Sequence, residues 1–261
     1  MADLLEVVEV RKSYGGVQAL KSVSFSLAAG EVVALMGPNG AGKTTLVNVI
    51  CGHTRPDGGV VRLDGRSLAG MGPARVARLG IARTFQNLCL FDHLTAVENV
   101  AVAVGLGAYR VSDAILRRWA FRAGEADILG RAEKVLDAVG FPPEARDLTP
   151  PMLPYGLRKR LELARALARN PKVLVLDEPV AGMNREEWPA IAGLIRAVAA
   201  SGVGVLVIEH HWPFVQQVGQ RGVFMAHGSV IAQGCWSEIL SPREVVGRGL
   251  GRADGVGAPV L

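Results

Sequence analysis

The chain has 261 residues, 49% of them hydrophobic and 20% charged, so it can bury a sizeable core and is not disordered overall. A formal charge of +5 suits an anionic ligand or a membrane-proximal surface, but no dense Lys/Arg block marks a nucleic-acid binder. Cys51, Cys89 and Cys235 lack metal spacing and read as free thiols in a reducing compartment, no apolar run reaches the ~18 residues of a membrane span, and no secretory signal is visible, so the expected location is cytoplasmic.

Leu4 to Lys12 alternates apolar and polar residues in part and Val23 to Leu27 strictly, which predicts two half-buried strands. Glu31 to Met36 is a short apolar run of buried-strand type. Directly after it stands Gly37-Pro38-Asn39-Gly40-Ala41-Gly42-Lys43-Thr44, which matches the pattern G-x-x-x-x-G-K-S/T without a mismatch. Thr45 to Ile50 is apolar enough to start a helix. The strand–loop–helix context carries a mechanism. Glycines let successive backbone N–H groups turn inward on phosphate oxygens, and the helix N-terminus adds a partial positive charge. Lys43 would reach the β- and γ-phosphates and the Thr44 hydroxyl would hold Mg2+. The pattern implies a nucleoside triphosphate site.

Further along, Val60 to Leu63 reads as a strand, Asp64-Gly65 as a turn and Ile81 to Phe85 as another short strand. Thr95 to Val104 and Asp113 to Val139 read as mostly helical, with Gly105, Gly107 and Gly124 as interruptions. A Pro-rich stretch from Phe141 to Pro154 closes that region. Leu157 to Ala168 has apolar residues at helix spacing, with Arg158-Lys159-Arg160 expected on its solvated face. Val173 to Leu176, Glu186 to Ala200 and Val203 to Ile208 then alternate as strand, helix and strand, which implies a parallel sheet covered by helices. Gly222 to Met225 and Val230 to Gln233 flank a hairpin-like turn at His227-Gly228-Ser229. The expected organisation is one compact domain over residues 1–261 with a helical insertion at about Asp92 to Arg169 and a loose glycine-rich tail over residues 248–261.

Val173 to Leu176 runs into Asp177-Glu178. A carboxylate at the C-terminal end of a strand beside a phosphate loop is where a Mg2+ ligand is needed, so Asp177 is the candidate metal ligand. Glu178 is then free to polarise an attacking water. Ile208-Glu209-His210 ends the next strand, 33 residues after Asp177 (210 − 177), and should emerge on the same sheet edge. Gln86 stands where a ligand-sensing loop could start.

Taken together these stretches resemble the nucleotide-binding subunits of ABC transporters, most of all those of branched-chain amino-acid importers. The carriers are Tyr14-Gly15-Gly16, Gly37 to Thr44, Arg83-Thr84-Phe85-Gln86-Asn87, Leu94 to Val100, Tyr155-Gly156, Arg160 to Leu167, Leu176 to Pro179, Ala181 to Asn184 and Ile208-Glu209-His210. They occur in family order over about Leu4 to Leu240. The resemblance implies an α/β fold: a P-loop NTPase core of ABC type with an antiparallel β subdomain and a helical signature insertion. It implies ATP and Mg2+ as ligands. Tyr14 would stack on adenine, and Gly37, Pro38, Asn39, Gly40, Ala41, Gly42, Lys43, Thr44 and Thr45 would bind the nucleotide. Thr44, Gln86 and Asp177 would form the metal shell, with Gln86 coupling it to the helical insertion. Glu178 would be the general base, His210 would contact the γ-phosphate, and Ala181 to Asn184 would lie at a dimer interface. Two such subunits sandwich two ATP molecules and drive membrane partners between states. The implied partners are integral-membrane permease subunits, a second ATP-binding subunit and, through the permease, a solute-binding protein. The implied place is the inner face of the cell membrane, with no nucleic acid involved.

The family's signature loop usually reads Leu-Ser-Gly/Tyr-Gly-Gln, whereas here it reads Leu153-Pro154-Tyr155-Gly156-Leu157. Proline is acceptable just before a helix. One hydrogen bond to a charged group is lost with the serine, worth about 1.5–3 kcal/mol. We expect the ATP site that uses this loop to be weakened. His211, where the family often has an acid, reads as surface variation. A regulatory nucleotide-binding subunit with weak turnover and an export-type ABC ATPase stand as alternatives; the single cassette and ordinary insertion argue against an ATPase of nucleic acid or ribosomes.

Overall fold

The computed structural model describes residues 3–84, 88–105 and 118–236, with side chains outside 118–125. In chain order the elements begin with β1 Asp3–Tyr14, β2 Val17–Ala28, β3 Val32–Met36, α1 Lys43–Ile50, β4 Gly58–Leu63, β5 Arg66–Ser67, α2 Pro73–Leu79 and β6 Ile81–Arg83. They continue with α3 Ala96–Gly105, α4 Arg118–Ala138, α5 Tyr155–Leu167, β7 Val173–Asp177, α6 Trp188–Ala200, β8 Gly204–Ile208, α7 Trp212–Val218, β9 Arg221–Ala226 and β10 Ser229–Cys235. The expectations placed on Phe85 to Asn87, Gly107, residues 113–117 and the 248–261 tail lie outside the described residues.

Two sheets form the core. One is antiparallel, in the order β2-β1-β4-β5; the other runs β10-β9-β3-β8-β7-β6. In the second sheet every neighbour from β6 to β9 is parallel and only β10 joins antiparallel. Burial explains the difference in sequence texture. Leu5 and Val7, and Val10 beyond a register shift, on β1 and alternating Val23, Phe25 and Leu27 on β2 face the interior. All residues of β3 and β8 are buried, because helices and the other sheet cover both faces of the parallel sheet. On one face, Leu46 and Ile50 of α1 share a core with the antiparallel sheet and with Leu35, Leu206, Val223 and Met225. On the other face α6 and α7 set Ile195 and Phe214 against Val205 and Val207. A third core, with Val100, Leu136, Phe141 and Leu161, holds α3, α4 and α5 together.

Several expectations are corrected. Helices α2 and α7 had no visible signal: each is seven residues, and α2 buries only Val76, so neither has room for a periodic stripe. Gly124 falls inside α4 instead of interrupting it. The helix expected from Glu186 begins at Trp188, after a 3-10 turn over Arg185–Glu187 capped by Asn184. Arg158-Lys159-Arg160 is not a solvated face. Lys159 is buried at 5% exposure with Nζ 3.8 Å from Glu162, Arg158 lies over the Tyr155 ring, and Arg160 donates to the Gly140 carbonyl. Contacts with Glu162 and Tyr155 on the same helix and with the Gly140 carbonyl claim side chains that sequence periodicity assigns to water. All three cysteines are free thiols, with Cys51 buried and the other two exposed.

Candidate functional site

Strands β3, β7 and β8 point the same way, so the segments after their C-terminal ends collect on one edge of the sheet. This places the 37–45 loop, Asp177-Glu178 and His210 together. The loop leaves β3 through Gly37, at φ 143, where a Cβ would sit 2.1 Å from the Met225 carbonyl oxygen. It ends at Gly42, at φ 100, where a Cβ would meet the Ala19 carbonyl at 2.5 Å. Only glycine fits these two positions. Gly42 caps α1 without a side-chain bond, and no acid stands in the first turn, so the helix dipole is left for an external anion. Lys43 Nζ donates to the carbonyls of Gly37 at 2.6 Å and Pro38 at 2.9 Å, which holds the ammonium across the loop. Desolvation lowers the Lys43 pKa from its ordinary value, opposed by Glu178 and Asp177.

A cleft of about 840 Å³ opens here, lined by Asn39 to Thr45, by Asp177 and Glu178, and by Val17 to Ala19 and Lys21 of β2. Asp177 is paired with Arg83, Nη2 to Oδ2 at 2.8 Å, and Arg83 also donates to Asn48 on α1. The Asp177 backbone N–H donates to the Thr84 hydroxyl at 3.3 Å. Glu178 takes φ 50, a left-handed conformation uncommon for a side chain of this size, and its N–H donates to the Ile208 carbonyl. That turn brings Glu178 Oε1 within 3.9 Å of His210 Nδ1. Thr44 and Asp177 supply the hydroxyl and carboxylate oxygens that a hard cation such as Mg2+ requires, so the donor set fits.

Other candidates fall elsewhere. Tyr14 ends β1 with its ring half exposed beneath Lys12 Nζ, and it is not among the residues lining the cleft. Gln86 lies outside the described residues. The Pro154 to Leu157 loop does not line the cleft. Pro154 is the cap residue of α5, and Leu157 and Arg158 donate to its carbonyl, so proline is compatible with the helix start. The Tyr155 hydroxyl donates to the Ala181 carbonyl at 3.0 Å, and Leu157 packs partly buried against the helical core. His211 is corrected: it is not surface variation. Its Nδ1 is 2.9 Å from Glu209 Oε2, and its ring lies in tilted contact with the rings of Trp188 and His210. Sequence reasoning missed Arg83 as the partner of Asp177 and missed the β2 wall of the cleft. A basic residue ending a strand was the only signal for the first, and no chemical signal existed for Val17 or Ala19.

Comparison with known proteins bears on this geometry. Residues 20–181 match the family model described as ABC transporter. The chain is 36% identical over 253 residues to the high-affinity branched-chain amino acid transport ATP-binding protein BraF of Pseudomonas aeruginosa, covering 96% of this chain and 98% of that one. It is 34% identical over 255 residues to the corresponding LivG protein of Escherichia coli strain K12, with the same coverage. Among solved structures it is similar to an ATP-binding cassette of an ABC transporter in its ADP conformation. That match has a TM-score of 0.81 at 29% identity and covers 96% of this chain and 100% of that one.

Proposed function

The chain belongs to the ABC transporter ATP-binding family, and from that premise we propose that its import cargo is a branched-chain or related amino acid. It is an ATPase subunit whose hydrolysis powers a membrane importer. The cargo reading is supported by full-length similarity to proteins named for that transport. The observation that carries the chemistry is the gathering of Lys43, Asp177, Glu178 and His210 at one sheet edge, with Glu178 Oε1 3.9 Å from His210 Nδ1.

In the proposed mechanism the 37–45 backbone and Lys43 bind the β- and γ-phosphates, and Tyr14, half exposed outside the phosphate cleft, would stack on an adenine that projects beyond it. Thr44, Asp177 and Gln86 would hold Mg2+, which neutralises charge on the phosphates when bound. Arg83, with Nη2 2.8 Å from Asp177 Oδ2, holds that side chain in place beside the cleft. Glu178 takes the proton from the attacking water and His210 contacts the γ-phosphate. The signature loop, Pro154 to Leu157, and Ala181 to Asn184 face a second ATP-binding subunit. Membrane permease components complete the working unit, with a solute-binding protein delivering the cargo on the far side. Among the described residues no helix is long and apolar enough to cross a membrane, so attachment to the inner membrane face runs through those subunits.

The test has two parts. Lys43→Ala is expected to lose ATP binding, whereas Glu178→Gln keeps binding and loses turnover by about 10²- to 10⁴-fold, the contribution of a general base. Equal turnover in Glu178→Gln and the native chain would remove Glu178 from the mechanism. For the cargo, the chain is purified from native membranes and its companions identified. Recovery with two permease subunits and a branched-chain amino-acid binding protein is expected; recovery with subunits serving an unrelated solute overturns the cargo reading.

A further inference from the structure

Beside the nucleotide cleft lies a group of side chains that hydrolysis does not use in full. Glu209 follows β8 and its side chain is completely buried. Its Oε2 accepts the backbone N–H of His210 at 2.8 Å and of His211 at 3.0 Å, and it sits 2.9 Å from His211 Nδ1 and 3.7 Å from His210 Nδ1. Its other oxygen, Oε1, is buried with no hydrogen-bond partner among the described residues. A buried carboxylate that is only half satisfied is costly and is offset best by a cation. The two imidazoles lie with centroids 3.9 Å apart and planes tilted by 39°, and ligand atoms of all three residues lie within 4.8 Å of one another. Both imidazole rings are partly exposed, at 56% for His210 and 33% for His211, so the group can be reached from solvent.

We propose that Glu209, His210 and His211 form an inhibitory site for a borderline transition-metal dication such as Zn2+, distinct from the Mg2+ site of the nucleotide. Zinc bonds of about 2.0–2.2 Å put tetrahedral ligand atoms roughly 3.3 Å apart; the two carboxylate–imidazole spacings, 2.9 and 3.7 Å, bracket that value, and the third lies within 4.8 Å. Two imidazole nitrogens with one carboxylate favour Zn2+, Ni2+ or Cu2+ over Mg2+, which takes oxygen ligands and gives up water reluctantly. Binding takes up the charge of Glu209 and ties His210 to it. His210 is then held away from the γ-phosphate, so the metal slows turnover without displacing ATP. The neighbouring Trp188 ring, 5.0 Å from that of His211, backs the site and limits ring motion.

The experiment uses the full nucleotide-free chain and Zn2+ in competition with a chromophoric chelator. One Zn2+ per chain is expected, unchanged in the Cys89→Ser/Cys235→Ser double variant. His211→Asn should weaken binding by about 100-fold or more, at least the cost of losing an outer-shell partner. Its basal ATPase with excess Mg2+ should match the native chain while inhibition by micromolar Zn2+ disappears. X-ray absorption of the zinc-loaded native chain should give a nitrogen and oxygen shell with two imidazoles. A shell containing sulfur, absence of stoichiometric binding, or equal zinc affinity in a folded His211→Asn variant overturns the proposal.

Discussion

Gly37 carries a constraint that belongs to a single residue. Its φ of 143 and the Met225 carbonyl 2.1 Å from a would-be Cβ leave no room for alanine. Gly37→Ala must either strain the backbone or push the loop off β9, at about 1–3 kcal/mol. ATP affinity measured by titration calorimetry is expected to fall by about 5- to 100-fold, since each ~1.4 kcal/mol is tenfold. Lys43 poses the opposite case. Burial lowers its pKa, so in the window between its folded and unfolded values the unfolded chain binds more protons and stability rises with pH. Below that window the charged ammonium is a net cost to the nucleotide-free fold. Lys43→Met is therefore expected to leave the melting temperature equal or higher while abolishing ATP binding; a lower melting temperature would show that its two carbonyl bonds outweigh desolvation. Cys51 is similarly governed by burial, which pushes its thiol up to about 11. Alkylation at pH 8, followed by peptide mass spectrometry, should modify Cys89 and Cys235 and spare Cys51 in the folded chain.

At the scale of elements, legibility depended on whether a pattern had room to repeat. The loop from Gly37 to Thr44 and the acid pair at the end of β7 could be read because each names its chemistry, and the five-residue strands β3 and β8 could be read because both faces are buried and the apolar run is unbroken. The short helices α2 and α7 could not. Neither could the role of His211, which meets Trp188 from a distant helix, or of Lys159, whose position in a run of three basic residues reads as a solvated face. Asn99 illustrates how a motif residue can serve structure. It is fully buried on α3, its Nδ2 donates to the carbonyls of Phe91, Leu94 and Thr95, and its Oδ1 accepts the Phe91 N–H. Thr95 and Glu98 add a reciprocal cap at the same helix start. Asn99→Ala should orphan these groups and cost about 2–3 kcal/mol, read as a lower denaturant midpoint at constant slope. A change below ~0.5 kcal/mol would mean that water replaces the side chain.

Across the whole molecule, the arrangement proposed above would put the signature loop and the phosphate loop of one chain in different ATP sites, one subunit's phosphate loop pairing with its partner's signature loop. Pro154 removes a hydroxyl from one site only if the partner subunit is a different chain, and from both if it is a second copy. Among the described residues proline fits its place: Pro154 caps α5, and Tyr155 bonds the Ala181 carbonyl that begins the proposed interface segment. The effect therefore has to appear in the assembled transporter and not in the isolated chain. Pro154→Ser with Leu157→Gln restores one hydrogen bond to a charged group, worth about 1.5–3 kcal/mol. ATPase activity of the assembled complex is expected to rise by about 10- to 100-fold when closure limits the rate, while the isolated chain's affinity for ATP stays the same. An assembled complex whose activity does not change would mean that Gly156 and the dipole of α5 already supply the contact that matters. An altered ATP affinity in the isolated chain would mean that the loop acts within its own subunit.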